Sequence, residues 1–170
     1  APGSYPVPSL KELAGANDSG VPIELVMDPA RVAEEAARLA ADAAVETVRR
    51  ELPTVNQAVL ETLGLPFDRE AFERGAEALW NSGIRTRAGL RIGLPGEDYD
   101  SIIDGFDFLG MAGLGQDADV MPLAVAPGSR WRADPTGLGI KEFLERPPYW
   151  VLETDWLDED DLVDAIGAFE

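Results

Sequence analysis

Five consecutive residues, Gly93-Leu94-Pro95-Gly96-Glu97, have the types and spacing of a ligand-binding turn. The apolar run from Ala88 to Gly93 predicts a buried strand before the turn, and Asp98 begins a predicted helix that continues to Leu109. Because glycine lets a backbone approach a ligand closely, the turn could hold a nucleotide. It lacks the Lys-Ser/Thr pair of a phosphate-binding loop, however, and its two adjacent carboxylates would repel an anion. A purely structural turn, whose acids complement the helix dipole, is the alternative interpretation.

The residue types that are missing exclude most other chemistry. The sequence contains no Cys and no His. Disulfides, thiol nucleophiles, cysteine-ligated clusters, imidazole bases and histidine metal ligands are therefore excluded. The densest acidic run, Asp155 to Asp161, lacks the alternating oxygen ligands and the glycine of a calcium loop, so it predicts an acidic helix start. We expect no metal ligand, and the sequence alone identifies no catalytic residue.

The length and charge of the chain limit its class and its partners. A chain of 170 residues, 45% of them hydrophobic, is expected to fold as one domain with a sizeable core. Its formal net charge of −18 opposes binding to nucleic acid and to anionic membranes, while a basic partner subunit stays open as a second explanation of the charge. The sequence has no membrane-spanning run and no signal-peptide pattern, so we expect a cytoplasmic protein. The start at Ala1 without Met indicates a processed, engineered or shortened chain.

Strand and helix patterns alternate along residues 21–128 and predict an α/β fold. This order is typical of a parallel sheet, here a partial (βα) barrel of four to five strands with helices on its outer face. A proline-rich lead-in with a short helix (residues 1–20) precedes it, and a C-terminal loop and acidic helix (residues 129–170) follow it. An open sheet of this size has two unpaired edges, so we expect a protein partner that covers an edge. Strands are predicted at 23–27, 45–48, 88–93 and 118–125, and helices at 29–43, 56–63, 68–81, 98–109, 140–145 and 159–169.

Aromatic residues crowd the last quarter of the chain. They could line a ligand pocket, cover an open sheet edge or contact a partner. Two arginines in the same segment, Arg130 and Arg132, could hold a carboxylate or lie at the surface. The aromatic residues are Trp131, Tyr149, Trp150 and Trp156.

Four segments, taken in order, resemble the later part of a radical S-adenosylmethionine barrel, of the kind that often carries a cobalamin-binding domain. The resemblance extends from about Ile23 to Leu162 and implies a parallel sheet with helices outside it. It also implies contacts to S-adenosylmethionine by Gly93, Leu94, Pro95, Gly96 and Glu97 after the family's fifth strand, and by Val125, Ala126 and Pro127 after its sixth strand, beside the adenine. The four segments are Thr54 to Leu60, Phe67 to Gly75, Gly83 to Glu97 and Met121 to Ser129.

The departures from the family pattern are as informative as the matches. Members of the family bind a [4Fe–4S] cluster through three cysteines of a CxxxCxxC loop after the first strand, whereas this chain has none and matches from near the third strand. Ile92 and Glu97 each stand one place later than in the commonest version of the family's motif. Reductive cleavage of S-adenosylmethionine needs an electron from that cluster, so this chain cannot perform it without another chain.

Three hypotheses of function follow. The first is a cluster-free accessory or binding component that assembles with another polypeptide, possibly a radical SAM or cobalamin-binding chain, and is not catalytic alone. The second is the later half of a split or truncated cobalamin-dependent radical SAM enzyme whose iron–sulfur half lies elsewhere. The third is a free-standing acidic domain that binds a metabolite.

Overall fold

The computed structural model describes residues 7–65 and 67–169 and shows an α/β fold. The predicted class is therefore confirmed. Short 3-10 turns lie at Pro29–Arg31, Gly115–Asp117 and Thr136–Leu138. The strands are β1 Ile23–Val26, β2 Val45–Leu52, β3 Arg85–Ile92, β4 Asp119–Pro122, β5 Ile140–Phe143 and β6 Val151–Thr154. The helices are α1 Val7–Ala16, α2 Glu34–Asp42, α3 Gln57–Leu63, α4 Arg69–Asn81, α5 Tyr99–Met111, α6 Arg130–Ala133 and α7 Glu159–Phe169.

The first four strands form one sheet in the order β1-β2-β3-β4, with β1 parallel to β2 and β3 parallel to β4. β5 and β6 form a separate antiparallel pair. Among the residues that the structure describes, the four-stranded sheet is open and does not close into a barrel. In the same part of the chain, no helix is both long enough and apolar enough to cross a membrane.

The chain divides into two compact units, each made of two separate segments. The first unit contains the residues up to Arg50 together with Asp68–Ala88, and the second contains Glu51–Phe67 together with the residues from Gly89 onward. β2 and β3 each pass from one unit into the other, because the divisions fall within both strands.

The core of the first unit is built on the alanine-rich face of α2. Small side chains allow the helix to pack closely against the apolar residues of β2, such as Val45 and Val48. α4 approaches the 3-10 turn at Pro29 so closely that a Cβ atom on Gly75 would lie 1.8 Å from the Pro29 carbonyl oxygen. The buried alanines are Ala36, Ala37, Ala40 and Ala43.

The single helix predicted at residues 29–43 is wrong, because the chain is extended at Val32 and Ala33. Asp28 accepts a hydrogen bond from the Ala30 N–H, and it caps only one 3-10 turn. The Val32 N–H donates to the Pro29 carbonyl at 2.8 Å and closes that turn. The interruption lets Val32 enter the core, and α2 begins only at Glu34.

In the second unit, the helix predicted at residues 140–145 is also wrong. Ile140–Phe143 is a strand that pairs with Val151–Thr154. Ile140 is buried while Lys141 and Glu142 are exposed. The partner strand lies about ten residues further along the chain, so the local propensity of residues 140–145 gives no information about the pairing. The loop predicted near Gly128 contains α6, which Ser129 caps through the Arg132 N–H.

The predicted strand at 118–125 changes partner after Pro122. Asp119–Pro122 pairs with β3, whereas the next three residues pair antiparallel with the segment before β6. The Val125 N–H donates to the Tyr149 carbonyl at 2.7 Å, and the Val151 N–H donates to the Leu123 carbonyl at 2.8 Å. The chain itself therefore covers this part of the sheet edge, and Trp150, which bridges to Ala124, belongs to the covering segment.

Candidate functional site

The turn between β3 and α5 requires glycine at two positions. Gly93 has φ of +79° and Gly96 has φ of +87°, a region that side chains with a Cβ rarely adopt. Asp98 then caps α5, accepting from the Ser101 N–H while the Ser101 hydroxyl accepts from the Asp98 N–H. The backbone and side-chain hydrogen bonds from Ser101 hold the pKa of Asp98 below its usual range, because both favour the carboxylate.

Glu97 lies inside this turn and holds it together. Its side chain is buried, with only 1% of the residue exposed, and it accepts hydrogen bonds from the Gly93 N–H at 2.9 Å and the Leu94 N–H at 3.2 Å. The Thr54 hydroxyl also interacts with the carboxyl group. Burial raises the pKa of Glu97 to about 7, since loss of hydration outweighs the three hydrogen bonds, and the nearby charge of Asp98 adds to the rise.

Thr54 connects the glycine turn to the turn that follows β2. Its hydroxyl also accepts from the Asn56 N–H at 3.1 Å, and Asn56 in turn caps α3 by accepting from the Val59 N–H. Glu97 and Thr54 therefore join two turns at the carboxyl ends of two strands of the sheet. Ligands of open α/β sheets bind outside the carboxyl ends of the strands.

The geometry limits how the glycine turn could meet a ligand. The N–H groups of Gly93 and Leu94 already donate to Glu97, so they are not available to a phosphate or a carboxylate. The space beside Gly93 is also taken: a Cβ atom there would lie 2.6 Å from Val151 Cγ1 and 3.3 Å from Leu162 Cδ2. The close approach that this glycine permits is therefore an approach by β6 and α7.

The predicted cofactor contacts differ in exposure. Gly96 and Pro127 are exposed and Ala126 is half-buried. Val151 connects the two groups of residues, because its side chain faces Gly93 while its backbone pairs with the segment that contains Val125. Contact of these residues with S-adenosylmethionine stays a prediction. The buried members are Gly93, Leu94, Pro95, Glu97 and Val125.

The two arginines of the C-terminal segment contact aromatic rings and backbone carbonyls. Arg130 donates to the Leu63 carbonyl at the end of α3 and lies 4.4 Å over the Trp131 ring. Arg132 donates to the Val125 carbonyl at 3.3 Å, pairs with Glu145 and lies over the Phe143 ring. Both guanidinium groups therefore organise the region around α6.

One ion pair near the site was missed by the reasoning from sequence. Arg91 on β3 pairs with Glu51 on β2, and Gly89 makes room for the carboxylate, since a Cβ atom there would lie 2.8 Å from Glu51 Oε2. Arg91 Nη1 is buried without a hydrogen-bond partner. The signal was present in the alternation of Arg85, Arg87, Gly89 and Arg91 along β3, because residues two apart share one face of a strand.

The donor set does not fit an iron–sulfur cluster. The sequence has no cysteine, and the described residues contain no group of three or more acidic side chains placed to hold a metal ion. Thiolates are the ligands that such clusters require in this fold.

The fold is similar to that of solved radical S-adenosylmethionine enzymes. The chain is similar to coproporphyrinogen III oxidase (HemN) of Escherichia coli, a radical SAM enzyme, with a TM-score of 0.67 and 17% identity over 96% of this chain and 36% of that one. It is also similar to the radical SAM methyltransferase TsrM of Kitasatospora setae with tryptophan and a SAM analogue bound, with a TM-score of 0.59 and 19% identity over 68% of this chain and 24% of that one.

The same methyltransferase with cobalamin and a [4Fe–4S] cluster gives a TM-score of 0.58 at 19% identity, over 69% of this chain and 25% of that one. No protein-family model and no curated protein matches the chain. At these identities the similarity shows the fold, and the chain spans about a quarter to a third of the length of each similar structure.

The two glycines of the turn give a matched pair of substitutions. Gly96→Ala meets only Val59, at 3.9 Å, so backbone strain alone is expected to cost about 1 kcal/mol. Gly93→Ala adds the overlap with Val151 and Leu162, for a total of about 2.5 kcal/mol. Urea denaturation of both variants measures the difference. Equal losses would contradict the close contact between β6 and the turn.

Proposed function

We propose that the chain is a radical-SAM-like accessory component that assembles with another polypeptide and performs no radical chemistry alone. The observation that supports this is a fold similar to radical SAM enzymes in a chain without cysteine. Cleavage of S-adenosylmethionine needs the electron and the iron site of a cluster, so a second chain must supply them if the chemistry occurs at all.

A second candidate is the later half of a cobalamin-dependent radical enzyme whose cluster half is a separate or removed segment. The chain spans only 24% to 36% of the length of the similar structures, and this partial coverage favours the second candidate. In this case the glycine turn and the segment from Val125 to Pro127 would contribute to a shared S-adenosylmethionine site. A free-standing acidic metabolite-binding domain is the third candidate, and its support is the net charge of −18.

The test is the native mass and composition of the assembly that contains this chain, isolated from its source. We expect a complex with a second polypeptide. A CxxxCxxC sequence in that polypeptide, with iron and S-adenosylmethionine cleavage restored on mixing, would select the split enzyme. A complex without iron would select the accessory component, and a stable monomer would contradict both.

Retained cofactor contact is tested by calorimetric titration of the chain with S-adenosylmethionine. If the contact is retained, we expect heat at millimolar ligand. Pro127 is exposed and was predicted to lie beside the adenine, so Pro127→Lys should bind S-adenosylmethionine at least about tenfold more weakly. Ala133→Lys, at an exposed position of α6, is the control for added charge. Substitution of Gly93 is less informative, since it disturbs the contact with Val151. Absence of heat in the unmodified chain would exclude the contact.

A further inference from the structure

The outer edge of β1 differs from the edge beyond β4. β1 is the terminal strand of the sheet, and within residues 7–65 and 67–169 no strand pairs with its outer side. The chain covers its own backbone beyond β4 through the segment Tyr149 to Val151, as described above. An unpaired edge offers a row of N–H and C=O groups to an added strand.

The direction of the backbone groups on β1 follows from two hydrogen bonds. The Ile23 N–H donates to the Ala44 carbonyl at 2.9 Å, and the Met27 N–H donates to the Arg49 carbonyl at 3.1 Å. Since alternate residues of a strand direct their N–H and C=O groups to opposite sides, those of Glu24 and Val26 point away from β2. These two residues present the free edge.

The side chains at this edge indicate the chemistry of what would cover it. Val26 is 79% exposed, and Val21, shortly before β1, is 57% exposed. Glu24, on the same face of the strand as Val26, is also exposed. An apolar side chain beside Val26 and a neutral or basic one beside Glu24 would complement this edge, as cross-strand neighbours do.

We infer that an extended, non-acidic segment of the partner polypeptide adds to the sheet along β1, pairing with the backbone of Glu24 and Val26. The inference rests on the proposed function, because it names the surface through which the accessory chain would assemble. A second copy of this chain fits less well, since each copy carries a net charge of −18 and pairing at β1 would bring the two Glu24 side chains close together.

A proline substitution separates the free side of β1 from its paired side. Val26→Pro removes an N–H that points outward, and proline is tolerated on an edge strand at such a position, so the isolated chain should keep its denaturation midpoint. The partner polypeptide, separated from the complex isolated from the source, should bind Val26→Pro at least about tenfold more weakly than it binds the unmodified chain. Val26→Thr keeps the N–H and the branched side chain, and should bind within about threefold of the unmodified chain.

Hydrogen exchange of the unmodified complex supplies the second measurement. The amides of Glu24 and Val26 should exchange at least about tenfold more slowly in the complex than in the isolated chain. Those of Ile23 and Met27, which already donate to the Ala44 and Arg49 carbonyls, should be protected in both states. A complex that forms with these amides unchanged and with full affinity for Val26→Pro would overturn the inference and leave the proposed function intact. A native monomer would overturn both, and concentration-dependent self-association that Val26→Pro abolishes would replace the partner with a second copy.

Discussion

Gly75→Ala is expected to destabilise the first unit by about 3 kcal/mol, although alanine is the better helix former by nearly 1 kcal/mol. The new Cβ atom would lie 1.8 Å from the Pro29 carbonyl oxygen and 2.5 Å from its carbon. Both are backbone atoms, so no side-chain rotation relieves the overlap. α4 must move away from the 3-10 turn, and the packing between these two elements is lost.

The control is a helical glycine with free space around it. Gly167 in α7 has no atom within 4 Å of an added Cβ, so Gly167→Ala should be neutral or stabilise the chain by up to about 1 kcal/mol. Urea denaturation of both variants gives the comparison. Stabilisation by Gly75→Ala would show that α4 does not contact the Pro29 turn as described.

The titration of Glu97 is expected to change stability by about 3 kcal/mol between acid and neutral pH. The pKa of Glu97 is raised from 4.5 to about 7 in the folded chain, so folding favours the protonated carboxyl group. Its stabilising contribution is fully present below about pH 4.5 and is lost as the pH rises through 7, because one pKa unit corresponds to about 1.4 kcal/mol.

Glu97→Gln isolates this contribution from the other acids. Glutamine has the shape of a protonated glutamic acid and keeps an oxygen that can accept from the Gly93 and Leu94 N–H groups, but it does not titrate. As the pH rises from about 4.5 to about 8, the unfolding free energy of the unmodified chain should therefore fall relative to that of Glu97→Gln. Carbon-13 NMR of the Glu97 carboxyl group measures the same pKa directly. A midpoint near 4.5 would contradict the desolvation argument.

Helix starts were the feature of the fold that the sequence predicted best. Helices were predicted to begin at residues 56 and 68, and Asn56 and Asp68 are the caps: each accepts a hydrogen bond from the N–H three residues later. Asp98 behaves in the same way at α5. Such caps are local, since the side chain and the N–H group that it satisfies lie within one turn, and the sequence around them is sufficient.

The elements that depend on distant partners were harder to predict. β5 was predicted as a helix. Its partner, β6, follows only after a loop, so the local sequence does not show the pairing that makes it a strand. β2 extends to Leu52, beyond the predicted end at Val48, and Arg49 at the extension pairs with Val26 of β1. Charged residues within a strand obscure the apolar pattern on which the prediction depends.

The site shows the same distinction. The turn from Gly93 to Glu97 is visible in the sequence, and its positive φ values explain the glycines. The use of Glu97 as an internal acceptor was not visible, because Thr54 lies more than forty residues away. A carboxylate at the start of a helix suggests an exposed group that interacts with the dipole, whereas this one is buried and Asp98 beside it performs that role.

The division of the chain into interleaved units has a consequence for its synthesis. The first unit has all of its residues once Ala88 has been made, whereas Glu51–Phe67 must wait for the segment that begins at Gly89. A nascent chain that stops near residue 128 would contain the glycine turn without Val151 and Leu162, which fill the space beside Gly93. We therefore expect the turn to acquire its native packing only after α7 has left the ribosome.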